Sequence, residues 1–131
     1  MVRERLAVLP TEATEQRTVI AWRDGMRLVE PRLWLLFAIP NDAPGAQRGR
    51  AGRMRGLGVL PGVPDLFVAV AARDVHGLFI EMKRREKWRL SDAQIKMHGR
   101  LHRAGYQVVT CAGADEAIQA IRYHLDMRIG G

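Results

Sequence analysis

The chain has 131 residues, of which 47% are hydrophobic, which is enough for one domain with a buried core and hardly for two. No apolar run approaches the roughly 18 residues of a membrane span, and the N-terminus lacks the apolar region of a secretory signal. A single cysteine, Cys111, excludes an internal disulfide and a cysteine-based metal knuckle. Lys and Arg number 21 against 14 Asp and Glu, and this formal charge of +7 favours a polyanionic partner. We expect one soluble, cytoplasmic domain over residues 1–131.

The first half of the chain predicts a helix, a strand and a loose basic segment. TEATEQRTVIAWRDGMRL predicts an amphipathic helix, with Thr11 as N-cap and with Glu12 and Glu15 at the positive end of the helix dipole. LWLLFAI predicts a buried strand that Pro40 ends. The following segment, residues 41–62, is rich in Gly, Pro and Arg, which predicts loops at its ends and allows a short helix in its middle.

The second half predicts a hairpin followed by alternating helices and strands. DLFVAVA and GLFIEMK are rich in β-formers and are joined by the turn residues RDVHG. SDAQIKMHGRLHRAG predicts a helix that Ser91 caps and Gly105 ends, YQVVTCA a strand, and ADEAIQAIRYHLDM a last helix. The order helix, strand, short helix, strand, strand, helix, strand, helix predicts an α/β fold with a mixed sheet flanked by helices.

Three charges interrupt the apolar strands of the predicted hairpin. Glu81 and Lys83 share one strand face, and a turn near Arg73 would place Asp65 roughly opposite Glu81. Two carboxylates so close repel, which raises a pKa or recruits a hard cation such as Mg²⁺ or Mn²⁺, and a nearby lysine can hold a water or a developing oxyanion. The alternative is a buried ion pair of Lys83 with one of the acids, which the net negative charge of the trio disfavours.

The blocks PGVPDLFVAV, GLFIEMKRR, LSDAQ and LHRAGYQVVTCAGADEAIQAI follow one another in order and closely resemble the VRR-NUC domain of the PD-(D/E)XK nuclease superfamily. The resemblance runs from about Thr11 to Leu125 and implies a restriction-endonuclease-like fold that hydrolyses DNA with Mg²⁺ or Mn²⁺. Asp65 would be the acid of the PD motif, and Glu81 and Lys83 the E and K of ExK. Asp65, Glu81 and the Met82 carbonyl would bind the metal, while Lys83 would orient or activate the attacking water.

The resemblance implies two further site residues, each with a structural alternative. The first helix of such nucleases supplies a glutamate near the metal. The resemblance favours Glu12 over Glu15, because Glu12 stands four residues before Gln16 and so matches the Glu-x-x-x-Gln spacing of the family. The alternative is that both acids simply complement the helix dipole. Gln94 matches the glutamine that follows the ExK strand in the family, but SDAQ is also a capping box in which Gln94 would only cap its own helix.

Two basic segments are the candidate DNA contacts. Residues 48–56 hold four arginines and no acid, and residues 83–89 follow the ExK strand. We expect them to contact phosphates through Arg48, Arg50, Arg53, Arg55, Arg84, Arg85 and Lys87. The resemblance is to stand-alone phage or bacterial members, which implies a homodimer acting on branched DNA, including four-way junctions. The alternatives are a non-catalytic DNA-binding module with the same fold and a sequence-specific restriction-type endonuclease.

Several conspicuous residues are assigned no site role. His98 and His102 lie four apart on one predicted helix, a spacing that can bind zinc, but no third ligand is evident. Core packing explains Trp22 and Trp34 better than base stacking does, and Cys111 is expected to be an inert hydrophobic residue in a buried strand.

Overall fold

The computed structural model describes residues 8–40 and 48–127, with residues 48–51 described by their backbone alone. The helices and strands in chain order are α1 (Glu12–Met26), a 3-10 helix (Pro31–Leu35), β1 (Leu36–Ala38), α2 (Arg48–Gly56), β2 (Leu66–Val68), β3 (Leu78–Lys83), α3 (Asp92–Arg103), β4 (Gln107–Ala112) and α4 (Ala114–His124). The strands form one mixed sheet in the order β1-β2-β3-β4, antiparallel except for the parallel pair β3–β4. Within these described residues, no helix combines the length and the apolar character that crossing a membrane requires.

The main core lies between one face of the sheet and the helices α1 and α4. The strands contribute Leu66, Val68, Leu78, Ile80 and Met82, which are all buried. The helices contribute Val19, Ala117 and Ile121 to the same cluster. Cys111 is buried beside them, and its burial raises the pKa of the thiol to about 12, so this side chain stays neutral as expected.

The opposite face of the sheet is aromatic at one end and charged at the other. Phe67 and Phe79 are register partners whose rings stack at 4.2 Å, and Phe37 meets the edge of Phe67 at 5.7 Å. Following β3 past Phe79 on the same face leads to Glu81 and then to Lys83. The helix α3 packs along β4, so its side chains can reach these charges.

The predicted hairpin and the two later helices are confirmed. Arg73 and Asp74 have positive φ angles of 49° and 64°, and an isolated bridge joins Ala72 to Val75, which makes a tight turn at the predicted point. Ser91 caps α3 through a complete capping box, and Thr11 caps α1.

The predicted strand LWLLFAI is wrong over its first half. Pro31 occupies the first turn of the 3-10 helix, and the Glu30 side chain accepts a hydrogen bond from the Arg32 backbone N–H, so the chain turns before Leu36 begins the strand. The core assignment of Trp34 is also wrong, because this side chain is 60% exposed and the Arg27 guanidinium lies 4.1 Å from its ring centre. Trp22, in contrast, packs against the core as expected.

Candidate active site

The hairpin places Asp65 beside Glu81. The pairing of Leu66 with Ile80 continues one residue further to these two acids, and the Met82 backbone N–H donates to Asp65 Oδ2 at 2.7 Å. A strand residue points its N–H and its C=O toward the same neighbour, so the Met82 carbonyl also faces the strand that carries Asp65. Consistently, the Lys83 carbonyl points the other way and accepts a hydrogen bond from Gly113 N at 2.9 Å.

The Glu81 carboxyl holds a proton at neutral pH. Burial, followed by the hydrogen bond and the negative charge of Asp65, raises the pKa of Glu81 to about 9. The Lys83 ammonium opposes the shift, and Glu12 adds to it. The Glu81 carboxyl is therefore hydrogen-bonded to Asp65, and a divalent cation that binds both acids would replace the proton of Glu81.

The structure separates the two glutamates of the first helix. Glu12 lines the same cleft as Asp65, Glu81 and Lys83. Glu15 is only 2% exposed, accepts a short hydrogen bond from Ala114 N at the start of α4 and pairs with Arg85 Nε at 3.2 Å. Glu15 thus ties α1 to α4, whereas Glu12 is placed where a cation in the cleft could be reached.

Gln94 caps its own helix and also contacts Lys83. Its Oε1 atom accepts the Ser91 backbone N–H at 2.9 Å, which closes the capping box of α3. The same oxygen accepts a hydrogen bond from Lys83 Nζ at 3.2 Å. The helix cap and the orientation of the lysine are therefore joined in one side chain.

His98 is a site residue that sequence reasoning missed. Its Nε2 atom lies 3.2 Å from Glu81 Oε1, and the two side chains are 12% and 2% exposed. Burial and the charge of Lys83 lower the pKa of His98, so the ring is neutral at physiological pH. The signal in the sequence was its spacing, since His98 follows Gln94 by four residues and shares its helix face.

The hairpin acids and the lysine open into a cleft of about 1110 Å³ between α1, the sheet and the start of α3. Its lining includes Glu12, Gln16, Asp65, Glu81, Lys83 and Gln94, and it adds Arg89, a basic residue outside the predicted DNA contacts. The cleft thus brings together all five of the predicted catalytic residues.

The predicted DNA contacts lie in several environments. Arg53 and Arg55 are exposed on α2, and the side chains of Arg48 and Arg50 lie outside the described part of the chain. Arg84 donates to the Lys87 carbonyl at 3.3 Å, with both side chains in an exposed loop. Arg85 is half exposed but engaged with Glu15, so its first role is structural.

The donor set fits a hard divalent cation. Among the residues described, no three His, Cys, Asp or Glu side chains already converge as a complete metal cluster. Asp65 and Glu81 nevertheless supply two carboxyl groups on one side of the cleft, and a backbone carbonyl and Glu12 supply further oxygens. Oxygen ligands of this kind, completed by water, are what Mg²⁺ and Mn²⁺ take in proteins.

The comparisons with known proteins identify the family. A family model described as the VRR-NUC domain matches residues 39–115, which is more than half of the chain. The chain belongs to the VRR-NUC family. A solved structure described as a VRR_NUC domain protein is similar over 92% of this chain and 93% of its own, with a TM-score of 0.77 and 25% sequence identity. No curated protein matches.

Membership of the VRR-NUC family confirms the predicted restriction-endonuclease-like fold, a four-stranded mixed sheet flanked by helices. The family makes this protein a nuclease-fold module that processes DNA, and nuclease domains of this kind generally use divalent metal ions.

Proposed function

We propose that this VRR-NUC protein is an Mg²⁺- or Mn²⁺-dependent endonuclease that hydrolyses DNA phosphodiester bonds in the cytoplasm of a bacterial or phage-infected cell. The observation that carries the proposal is that two acids, Asp65 and Glu81, line one cleft together with Lys83. A purely structural ion pair would need one acid for one lysine, and a second acid beside them only adds repulsion. In a site that binds a divalent cation, the second acid is a further ligand of that cation.

Each residue has a role in this chemistry. Asp65, Glu81 and the Met82 carbonyl would hold the cation, with Glu12 as a further ligand. When bound, the cation supplies positive charge to the phosphate oxygens and lowers the pKa of water. Lys83 orients the attacking water against the phosphorus, and Gln94 holds the lysine in place through the 3.2 Å hydrogen bond between Nζ and Oε1.

Exposed basic residues would hold the DNA backbone. Arg53 and Arg55 on α2 and Arg84 and Lys87 after β3 are exposed, and Arg89 lines the cleft itself. Their charges neutralise phosphates without reading bases, so they would position the scissile bond rather than select a sequence. This arrangement supports a structure-selective enzyme more than a restriction-type one.

A cleavage assay with labelled substrates tests this function. The protein is incubated with duplex, flap and four-way junction DNA in EDTA, Mg²⁺ or Mn²⁺, and the products are separated on a denaturing gel. We expect metal-dependent cuts in the branched substrates. Tight binding with no cut in any metal would favour the non-catalytic DNA-binding module. Cuts confined to one sequence within the duplex would favour the restriction-type alternative.

We further propose that the active form is a homodimer that resolves four-way junctions. Resolution takes two symmetric nicks, and a two-fold dimer presents two sites to a two-fold substrate. The edge strand β1 and the 3-10 helix before it offer a surface for this contact, because Phe37 on β1 is 43% exposed and Trp34 and Leu35 on the 3-10 helix are 60% and 46% exposed.

Two measurements test whether the active form is a homodimer. Light scattering during gel filtration should give twice the 14.8 kDa chain mass, and a cruciform plasmid should be linearised. Phe37→Asp should yield a monomer that only nicks the plasmid, while Leu57→Asp, at an exposed position in the turn after α2, should leave the dimer intact. A wild-type monomer that only nicks would remove the junction resolvase and leave the nuclease standing.

A further inference from the structure

The helix α3 contacts both charged residues of the ExK strand from one face. Gln94 and His98 lie four residues apart and therefore project side by side from the helix. Gln94 Oε1 accepts from Lys83 Nζ at 3.2 Å, and His98 Nε2 meets Glu81 Oε1 at the same distance. Each of the two strand side chains thus has its own partner on α3.

The hydrogen bond with His98 can fix the orientation of the Glu81 carboxyl group. Both side chains are largely withdrawn from solvent, at 12% and 2% exposure, so little water competes for the hydrogen bond. An ionised carboxylate can only accept, so the ring must present an N–H at Nε2 when Glu81 is charged. Outer partners of this kind fix the orientation of a metal ligand, and their loss commonly lowers metal affinity or activity by about 10–100-fold.

The position of α3 is itself fixed against the loop that carries Asp65. Gly62 has a φ of +83°, and a Cβ there would stand 2.2 Å from the Ala93 carbonyl oxygen, so its backbone lies directly on the first turn of α3. The loop before Asp65 and the helix that bears Gln94 and His98 therefore form one packed unit. A shift of α3 would alter the partners of Glu81 and Lys83 together.

We propose that His98 is a positioning residue that holds the Glu81 carboxylate, through Nε2–H and Oε1, in the orientation that receives the divalent cation. The inference rests on the proposed function, because it takes Glu81 as a metal ligand. It extends that function by giving α3 a defined role, in which Gln94 orients the lysine and His98 orients the glutamate.

The test compares substitutions at His98 with one at His102, which is exposed one turn further along the same helix. The variants are His98→Gln, His98→Asn, His98→Leu and, as the control, His102→Leu. Gln can place an amide N–H near the position of Nε2, whereas Asn is too short and Leu has no donor. Mn²⁺ binding to the full chain without DNA is measured by calorimetry, and junction cleavage is followed across Mn²⁺ concentrations.

We expect His98→Leu and His98→Asn to weaken Mn²⁺ binding by about 10–100-fold and to shift the Mn²⁺ dependence of cleavage by the same factor. His98→Gln should restore most of the affinity, and His102→Leu should match wild type. Excess Mn²⁺ should recover cleavage in the weakened variants, which a merely unfolded site would not allow. If His98→Leu fails to fold, the comparison of Gln with Asn carries the test.

Equal Mn²⁺ affinity in the folded Gln, Asn and wild-type proteins would overturn the role of His98, and so would wild-type protein that binds no Mn²⁺. A different outcome would overturn the nuclease activity alone. If wild-type protein binds Mn²⁺ in a His98-dependent way but cuts no DNA, the positioning role of His98 stands and the nuclease activity does not.

Discussion

At the scale of single residues, the hairpin acids were predictable, but the choice between Glu12 and Glu15 was not. Alternation along two strands and one tight turn were sufficient to bring Asp65 to Glu81. Glu12 and Glu15 both occupy the first turn of α1 and both suit its dipole, so only the resemblance to the family, through the Glu-x-x-x-Gln spacing to Gln16, favoured Glu12. The hydrogen bond of Glu15 with Ala114 N joins residues 99 apart in the chain, so no local sequence pattern could predict it.

The two glutamates should differ when they are replaced. Glu12→Gln should lower junction cleavage without changing the midpoint of denaturation, because Glu12 lines the cleft. Glu15→Ala should destabilise the fold by about 2 kcal/mol, because it leaves a buried backbone N–H unsatisfied and removes the ion pair of Arg85. Urea denaturation and the junction assay measure the two effects. The reverse pattern would exchange the two roles.

The raised pKa of Glu81 predicts how the metal-free fold responds to pH. A folded carboxyl with a pKa of about 9 binds its proton more tightly than the same group unfolded, near its ordinary 4.5. Folding therefore takes up a proton between those values, and this contribution to stability falls as the pH rises, by up to about 1.4 kcal/mol per pH unit.

Glu81→Gln removes that titration. In EDTA, the variant should gain stability relative to wild type between about pH 7 and pH 8.5, a window above the ordinary titration range of histidine. Urea denaturation of both proteins across this range measures the difference. A difference that stays constant with pH would mean that Glu81 is already ionised in the folded protein without metal.

At the scale of elements, local patterns predicted the helices and strands, and tertiary contacts set what the patterns missed. The prediction of a strand over all of LWLLFAI was wrong because Glu30 and Pro31 favour a helical turn, whereas the apolar run by itself indicated a strand. The capping box of α3 was visible in SDAQ, but the approach of α3 to β3 was not. His98 was therefore considered only as half of a zinc pair, since its partner Glu81 lies on another element.

Gly62 provides an element-scale prediction, with Gly58 as its matched control. Both glycines have positive φ angles, +83° and +97°, so alanine strains the backbone at either position. Only at Gly62 would the new Cβ also meet backbone, since nothing lies within 4 Å of a Cβ at Gly58. Gly62→Ala should therefore destabilise the protein more than Gly58→Ala and should also reduce cleavage by displacing α3. Equal losses would show that strain alone acts at both sites.

At the scale of the whole molecule, the formal charge of +7 was visible in the composition, but its use depends on where the charges lie. The sequence analysis identified two basic segments, residues 48–56 and 83–89. The structure shows that one of these arginines, Arg85, is engaged with Glu15 and that Arg89 joins the cleft wall. Pairing and orientation of this kind depend on the packed fold, which composition does not encode.

If the arginines of α2 contact phosphates, they should contribute to the salt dependence of DNA binding. Replacing Arg48, Arg50, Arg53 and Arg55 with Ala should reduce the slope of log affinity against log salt by about 0.9 for each phosphate that is no longer neutralised. Arg73→Ala, at the far turn of the hairpin, should leave the slope unchanged. Fluorescence anisotropy with a labelled junction measures both. An unaltered slope in the fourfold variant would make these residues ordinary surface charges.

The central claim is that Asp65, Glu81 and Lys83 form one metal-dependent hydrolytic site, and single-turnover cleavage of a labelled four-way junction in saturating Mn²⁺ tests it most directly. Asp65→Asn, Glu81→Gln and Lys83→Ala should each lower the rate by about a thousandfold or more while junction binding persists. Asp115→Asn, an exposed acid on α4, should cleave like wild type. Wild-type cleavage by any one of the three site variants would contradict the claim.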